Sequence, residues 1–477
     1  MRLPFVTLIG LALGACSIIP AYTAANKCGP TAASCPDAPA GAAITVESTR
    51  ATRQLTPGDL HKGVFVGIAL SGGGARAANF SAAVLLELQR LGLLDYASAL
   101  SSVSGGSMTA AYYGLFGSDP ARWNPQVIRE RFRIDFQTHW IVWWFNPWNI
   151  VRYWTTDFDR SDIMKNVFDF YLFDDERRST PLRFRDMGRT GPRILINATS
   201  LPRVGRFVFT DETFADLGSR LDSYPVSHAV MASGAFPGAF HNVTLHDFNR
   251  RMLRDDEGSR GRDRSSRHPQ YNHLYDGGPS DNLGADALVD VVEALRPAGG
   301  CFLLLVDAYP YHVGKGARQR DSRGFLDFFV DENLSDASDV FLTLRRIAQL
   351  QRLGYPPDKK PGEQRLWDYR DREGRFVCRV WHLTFQSLVE RAALPQQQRA
   401  VTKQAAATML RERLLHLRQA NRIPTRYRLE GPRGMSAEEV QTLLFEAAAY
   451  LVREDDVTLA RTCAWFRKRD LEACRAP

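Results

Sequence analysis

The chain has 477 residues, 44% of them hydrophobic and 24% charged, a balance that suits one large globular domain with additions, or two domains, and excludes a disordered or fibrous protein. The formal net charge is +8, with arginine far outnumbering lysine. That excess favours contact with anionic lipid or nucleic acid. Much of it lies in one polar run, however, and no nucleic-acid motif accompanies it, so no nucleic-acid partner is expected. The seven cysteines show no His/Cys spacing of a metal site, and no metal or other cofactor is expected.

Residues 1–15 have a basic start and a short apolar stretch, too short for a stable membrane anchor, and read as an export signal. The stretch ends Leu13-Gly14-Ala15-Cys16, which resembles the lipobox of bacterial lipoproteins. That resemblance implies acylation of Cys16, with Ser17 beside it favouring the outer membrane. The alternative is a secreted protein cleaved near Ala25. Export permits disulfides. Cys28 and Cys35 lie close together and are one candidate pair, and Cys463 and Cys474 are another. Cys301 and Cys378 sit in apolar strand-like runs, where buried free thiols are expected. Residues 16–60, rich in Ala, Pro, Thr and Gly, form a flexible tether.

From His61 an α/β pattern begins, and residues 61–310 form the expected catalytic domain. Alternation of strands and helices predicts a mostly parallel sheet covered on both faces. Val64–Leu70 reads as a buried strand running into Ser71-Gly72-Gly73-Gly74-Ala75-Arg76. A helix over Ala82–Leu91 follows, and then Leu100-Ser-Ser-Val-Ser104-Gly-Gly106-Ser-Met-Thr109. A serine between small residues at a strand-to-helix turn is where many hydrolases hold a nucleophile, and Ser104 is the candidate. Here the usual Gly-x-Ser-x-Gly has become Ser102-x-Ser104-x-Gly106. Taken alone, Ser-Gly-Gly-Ser is also an ordinary flexible turn.

Residues 139–154 concentrate tryptophan: His139-Trp-Ile-Val-Trp-Trp-Phe-Asn-Pro-Trp148, then Trp154. Indole favours the lipid–water boundary, so this stretch is either a lid or interfacial patch, or a helix pair packed onto the core. Arg193–Thr199 and Arg206–Thr210 read as a hairpin, Val226–Met231 as a short helix, and residues 250–268 as a charged, glycine-broken loop. His273-Leu-Tyr-Asp276-Gly277-Gly278 ends another strand-like run, and Gly299–Asp307 is an apolar strand expected to close the sheet. Residues 311–477 read as a mostly helical extension packed on the core, with clear helices at Val340–Leu353 and Gln396–Asn421 and a strand at Val377–Phe385.

The glycine loop, the serine elbow and Asp-Gly-Gly, in this order, resemble the patatin-like phospholipase family, as do Ala232–Phe240 and Asn282-Leu283. The resemblance covers residues 62–310. It implies a three-layer fold and a Ser–Asp dyad in which Asp276 is the base for Ser104, with residues 232–240 lining an acyl pocket. Asp281 and Asp307 are weaker candidates for that base, and His228, His241 and His246 lie in no recognisable triad context. Backbone N–H groups of Gly72, Gly73 and Gly74 supply donors for an oxyanion. Arg76 fixes that loop or offsets headgroup charge, while Gly106, Gly277 and Gly278 leave room at the turns. The expected protein is thus an acyl hydrolase of phospholipids or lysophospholipids, held at a membrane surface by a lipid anchor and the Trp-rich segment. The rival expectation is a catalytically inactive envelope protein that binds lipid or a partner.

Overall fold

The computed structural model describes residue 26 and residues 49–174, 180–188, 190–247, 271–310, 332–371, 374, 377–393, 404–454 and 456–474. The export signal, Cys16, most of the tether, the Cys28–Cys35 pairing and the charged run at 250–268 lie outside the described residues.

Nine strands among the described residues form one sheet: β1 (Phe65–Leu70), β2 (Ala99–Val103), β3 (Arg193–Ser200), β4 (Gly205–Phe209), β5 (Val243–His246), β6 (Tyr271–Tyr275), β7 (Cys301–Asp307), β8 (Leu366–Arg370) and β9 (Val377–Thr384). Their order is β5-β6-β3-β2-β1-β7-β9-β8, with β4 paired to β3. The five central strands, β3-β2-β1-β7-β9, are parallel, and the outer ones are antiparallel. β1 and β7 are buried along their whole length, as expected of unbroken apolar runs in a parallel sheet covered on both faces. β7 does not close the sheet as anticipated. It lies between β1 and β9, because the chain beyond residue 310 returns two more strands to the same sheet.

The helices that matter for the site are α1 (Gly74–Arg90), α2 (Gly105–Phe116), α3 (Phe136–Trp144), α4 (Pro147–Thr155), α5 (Val226–Ser233), α6 (Ala285–Leu295), α7 (Glu332–Arg352) and α8 (Ala437–Ala449). The period-2 alternation of β1 and β7 divides the interior in two. Val66, Ile68, Leu70, Phe302, Leu304 and Val306 face a core shared with α1, α2 and α8. Phe65, Ala69, Leu303 and Leu305 face a second core with α6 and the end of α7. This is a three-layer α/β architecture with helices on both sides of a mixed, mostly parallel sheet and a largely helical C-terminal region. α1 begins at Gly74, earlier than the periodicity suggests, because the glycine loop runs directly into it, and it is buried almost all round.

Cys301 and Cys378 are not free thiols. They sit opposite one another in the β7–β9 register, with Cα atoms 4.4 Å apart, and are disulfide-bonded. Each run was legible as a strand, but their being in-register neighbours depends on the sheet order. Cys463 and Cys474 also pair.

At the carboxyl end of β7, Asp307 is fully buried with Arg346 of α7 and His382 of β9. The His382 Nε2 lies 2.8 Å from its carboxylate, and Arg346 forms an ion pair with it. Burial opposes ionisation of Asp307, but the Arg346 charge and the His382 hydrogen bond outweigh it and bring its pKa to about 2. Asp307 is therefore a structural anion that fastens α7 to the sheet. Arg346→Met removes its cation and should cost about 3 kcal/mol or more of stability, read as a lowered urea midpoint. An unchanged midpoint would contradict this account of Asp307.

Candidate active site

The glycine loop leaves β1, Ser104 leaves β2, and Asp276 leaves β6, on the far side of β3. The loop and Ser104 therefore share the carboxyl edge of adjacent parallel strands, where α/β sheets form crevices. β6 runs antiparallel to β3, pairing Tyr275 with Thr199, so the chain after Tyr275 continues back along β3 toward the end of β2. The Asn197 carbonyl marks this approach, since a side-chain carbon on Gly277 would lie only 2.5 Å from it.

Ser104 is the N-cap of α2 with φ 50° and ψ −120°, a backbone region that costs a non-glycine residue strain and is found at functional turns. Its neighbourhood must be nearly bare: a side-chain carbon on Gly106 would sit 2.5 Å from the Leu70 carbonyl oxygen. The Ser104 N–H donates to the Ser233 hydroxyl at 2.8 Å, and that hydroxyl donates to the Asn197 carbonyl at 2.6 Å. Ser107 lies 2.9 Å from Ser233 and donates to Ser102 at 3.1 Å, while Ser102 donates to the Leu195 carbonyl at 3.3 Å. The departure at position 102 is thus a buried hydroxyl with partners on both sides, and the turn survives it.

The Ser104 hydroxyl faces the carboxylate of Asp276 closely enough to favour its ionised form. Ser104 is half-buried, whereas Asp276 is buried. The Gly278 N–H donates to Asp276 Oδ1 at 2.8 Å. Burial pushes the Asp276 carboxyl up to about 6, against the pull of the hydrogen bonds from Gly278 and Ser104. A carboxylate so raised is a better proton acceptor than one in water and is still ionised near neutrality.

The glycine loop abuts this pair, because a side-chain carbon on Gly72 would lie 3.4 Å from Ser104 Cβ. Its three N–H groups are not equivalent. Gly72 donates to the Asn282 carbonyl at 3.2 Å, which removes it from the expected donor set. Among the described residues no acceptor takes the N–H of Gly73 or Gly74, and these two remain available to an oxyanion. Arg76 is fully buried, and its guanidinium donates to the Ile423 carbonyl and, at 2.9 Å, to the Thr425 hydroxyl. Of its two expected roles, the geometry favours fixing the loop over facing a headgroup.

Asp281, the other weak candidate for the base, accepts the Ala285 and Ala287 N–H groups at 3.0 and 3.2 Å and lies 3.7 Å from Arg206, engaged with α6 instead of the serine. His228 packs edge-on to Tyr224, His246 edge-on to Tyr271, and His241 lies 3.4 Å from Arg160.

One residue of the site escaped the sequence. Tyr427, beyond the span of the expected catalytic domain, donates its hydroxyl at 3.1 Å to the Gly234 carbonyl, next in the chain to the Ser233 that takes the Ser104 N–H, and its oxygen lies near enough to Ser104 to feel it. Nothing in Thr425-Arg-Tyr-Arg-Leu429 marks it as chemical.

Nearby, α3 and α4 form a hairpin with one face on the protein. Phe136 is buried, and Trp140 and Trp143 pack against the core. The other face is open, with Phe145 72%, Trp148 68% and Trp154 72% exposed beside Val142 and Val151. Trp140 contacts Phe240 with ring centroids 5.2 Å apart, and Phe240 contacts Tyr427 at 5.7 Å, so the hairpin reaches the site through two aromatic contacts. No helix among the described residues is long and apolar enough to cross a membrane.

The sequence matches the family model for patatin-like phospholipases over residues 68–289. No curated protein matches the chain. Among solved structures, human GIVD cytosolic phospholipase A2 in complex with methyl gamma-linolenyl fluorophosphonate and terbium chloride is similar at 15% identity and TM-score 0.46, over 87% of this chain and 61% of that one. The same human enzyme without these additions gives 14% identity, TM-score 0.45 and coverages of 87% and 62%. VipD from Legionella pneumophila gives 12% identity, TM-score 0.26 and coverages of 85% and 77%. This chain therefore spans about three fifths of the human phospholipase chain. Residues 68–289 belong to the patatin-like phospholipase family.

Proposed function

We propose that the chain is a serine acyl hydrolase that cleaves fatty-acyl esters of phospholipids or lysophospholipids, with Ser104 as nucleophile and Asp276 as its base. The observation that supports this reading is the half-buried Ser104 hydroxyl placed against a buried carboxylate whose pKa stands near 6. In the first half of the cycle, Asp276 takes the Ser104 proton as Oγ attacks the acyl carbonyl. The oxyanion falls to the Gly73 and Gly74 N–H groups, each such donor being worth roughly 3 kcal/mol in the transition state. Asp276 gives the Ser104 proton to the leaving alcohol, then takes one from water as the water attacks the acyl-serine; the acyl–Oγ bond breaks, the Asp276 proton returns to Oγ, and the fatty acid is released. The phospholipid class of substrate is supported by the family to which residues 68–289 belong.

We further propose that the open face of the α3–α4 hairpin meets the bilayer surface that holds the substrate. Its support is the chemistry of the exposed side chains, tryptophan with aliphatic and phenyl groups, and its connection to Tyr427 through Trp140 and Phe240.

Ser104→Ala and Asp276→Asn should each abolish release of fatty acid from a mixed phospholipid panel, read by mass spectrometry, while near-UV circular dichroism stays native. A folded Ser104→Ala protein with undiminished hydrolysis would end the proposal. Because the ionised form of Asp276 is the base, hydrolysis by the native protein should rise with pH through about 6 and level off above it. A rate that is flat from pH 5 to 8 would show that another group takes the proton. For the hairpin, Trp148→Ala together with Trp154→Ala should weaken co-sedimentation with phosphatidylcholine vesicles by roughly tenfold or more, from lost apolar burial, and leave hydrolysis of a soluble short-chain ester intact. Equal sedimentation of variant and native protein would place the membrane contact elsewhere.

A further inference from the structure

The segment 423–427 comes from the C-terminal region, outside the family match at 68–289, yet it lies along the glycine loop. Arg76 holds the Ile423 carbonyl and the Thr425 hydroxyl. The Ala75 N–H donates to the Arg426 carbonyl at 2.7 Å, and the Gln137 N–H to the Tyr427 carbonyl at 3.2 Å. The Tyr427 ring packs against Phe168 and Phe240, with centroids 5.9 and 5.7 Å away. The backbone and ring are therefore fixed from several directions, and the hydroxyl is delivered to one place. There it meets the Gly234 carbonyl at 3.1 Å and the Ser104 hydroxyl.

We propose that Tyr427 is a third catalytic residue, whose phenol is held on the Gly234 carbonyl beside Ser104 in the resting site and donates a hydrogen bond to Oγ when that oxygen departs from the acyl-enzyme. This rests on the serine-hydrolase reading above. A serine hydroxyl has one proton and, at rest, gives it to Asp276. The phenol gives its own proton to Gly234 and faces Oγ with its oxygen. In deacylation, water loses a proton to Asp276 and its oxygen bonds to the acyl carbon. The carbon–Oγ bond breaks, its electron pair passes to Oγ, and the Asp276 proton returns there. The phenol keeps its proton throughout and turns its O–H from Gly234 to the oxygen gaining charge. Desolvation and then the Asp276 charge raise the pKa of this phenol, so it is a hydrogen-bond donor across the working range and not a second base.

Two variants test this. Tyr427→Phe keeps the ring contacts and removes the hydroxyl. Gly234→Ala keeps the tyrosine but places a carbon 2.1 Å from its oxygen, displacing the hydroxyl. With p-nitrophenyl butyrate, each should lower kcat by about tenfold or more, as loss of one hydrogen bond in the transition state implies, with KM falling or unchanged. Each should also show a burst of p-nitrophenol approaching one per enzyme as acyl-enzyme accumulates. A merely structural tyrosine would lower the thermal midpoint without creating a burst. Native kcat and no burst in the folded variants would overturn the proposal, and Gly234→Ala alone decides if Tyr427→Phe does not fold. A native protein that neither turns over the ester nor reacts with a fluorophosphonate would instead sink the hydrolase reading, and this inference with it.

Discussion

A carboxylate withdrawn from water and set against a serine hydroxyl is the contact on which this site depends. Burying an anion is costly, and among the described residues the Asp276 carboxylate has the Gly278 N–H and the nearby Ser104 hydroxyl in exchange. The carboxylate must therefore be held there by other groups, and the end of α5 does so from both sides. The Ser233 hydroxyl takes the Ser104 N–H. The Ser233 carbonyl accepts from Gly277 at 3.1 Å and the Ala235 carbonyl accepts from Asp276 at 3.1 Å. Thr199 of β3 adds a hydrogen bond to the Asp276 carbonyl at 2.7 Å. One helix terminus thus sets the positions of Ser104 and Asp276 together, and a shift there would move both instead of separating them.

The chain beyond residue 310 works as a second brace. Arg345 of α7 donates to the Ser280 carbonyl at 3.0 Å, and Gln349 donates to Asp281, so the turn after Asp276 is held from outside the catalytic strands. On the opposite side, Gln441 of α8 binds Asn79 of α1 at 2.8 Å, and segment 423–427 binds Ala75 and Arg76 at the start of the same helix. The Gly73 and Gly74 N–H groups, which no acceptor among the described residues takes, lie at that helix start, on its N-cap and first residue. Donors held rigid before the reaction cost little reorganisation when charge develops, and in the proposed mechanism the C-terminal contacts would serve that end.

What the sequence revealed follows from how local each feature is. The glycine loop, the Ser104 elbow and Asp276-Gly277-Gly278 each need a particular residue type at a sharp turn, and turn chemistry is written within a few positions. The buried strands β1 and β7 were legible as apolar runs, and the β3–β4 hairpin as two runs across Pro202. Sheet order is not local. Nothing in either run says that Cys301 and Cys378 stand opposite one another, or that β7 is an interior strand. The unequal fates of the Gly72, Gly73 and Gly74 N–H groups depend on where Asn282 places its carbonyl. Tyr427 was invisible because its backbone and ring are aimed by contacts hundreds of residues away, at Gly234, Phe168 and Phe240.

The tryptophan-rich hairpin shows the opposite case, where composition spoke clearly but left two readings open. α3 is apolar nearly all round, and such helices are ordinarily buried. Phe136, Trp140 and Trp143, spaced four and three apart, lie on the side that meets the protein. Ile141, Val142 and Phe145 lie on the other and are exposed. One face thus packs on the core, as the second reading expects, and the other is exposed. Trp140 contacts Phe240, and Phe240 contacts Tyr427, so any medium that covers the open face lies within a short chain of aromatic rings from Ser104. On the proposed reading, a substrate leaving a bilayer engaged there would have little water to cross on its way to the serine.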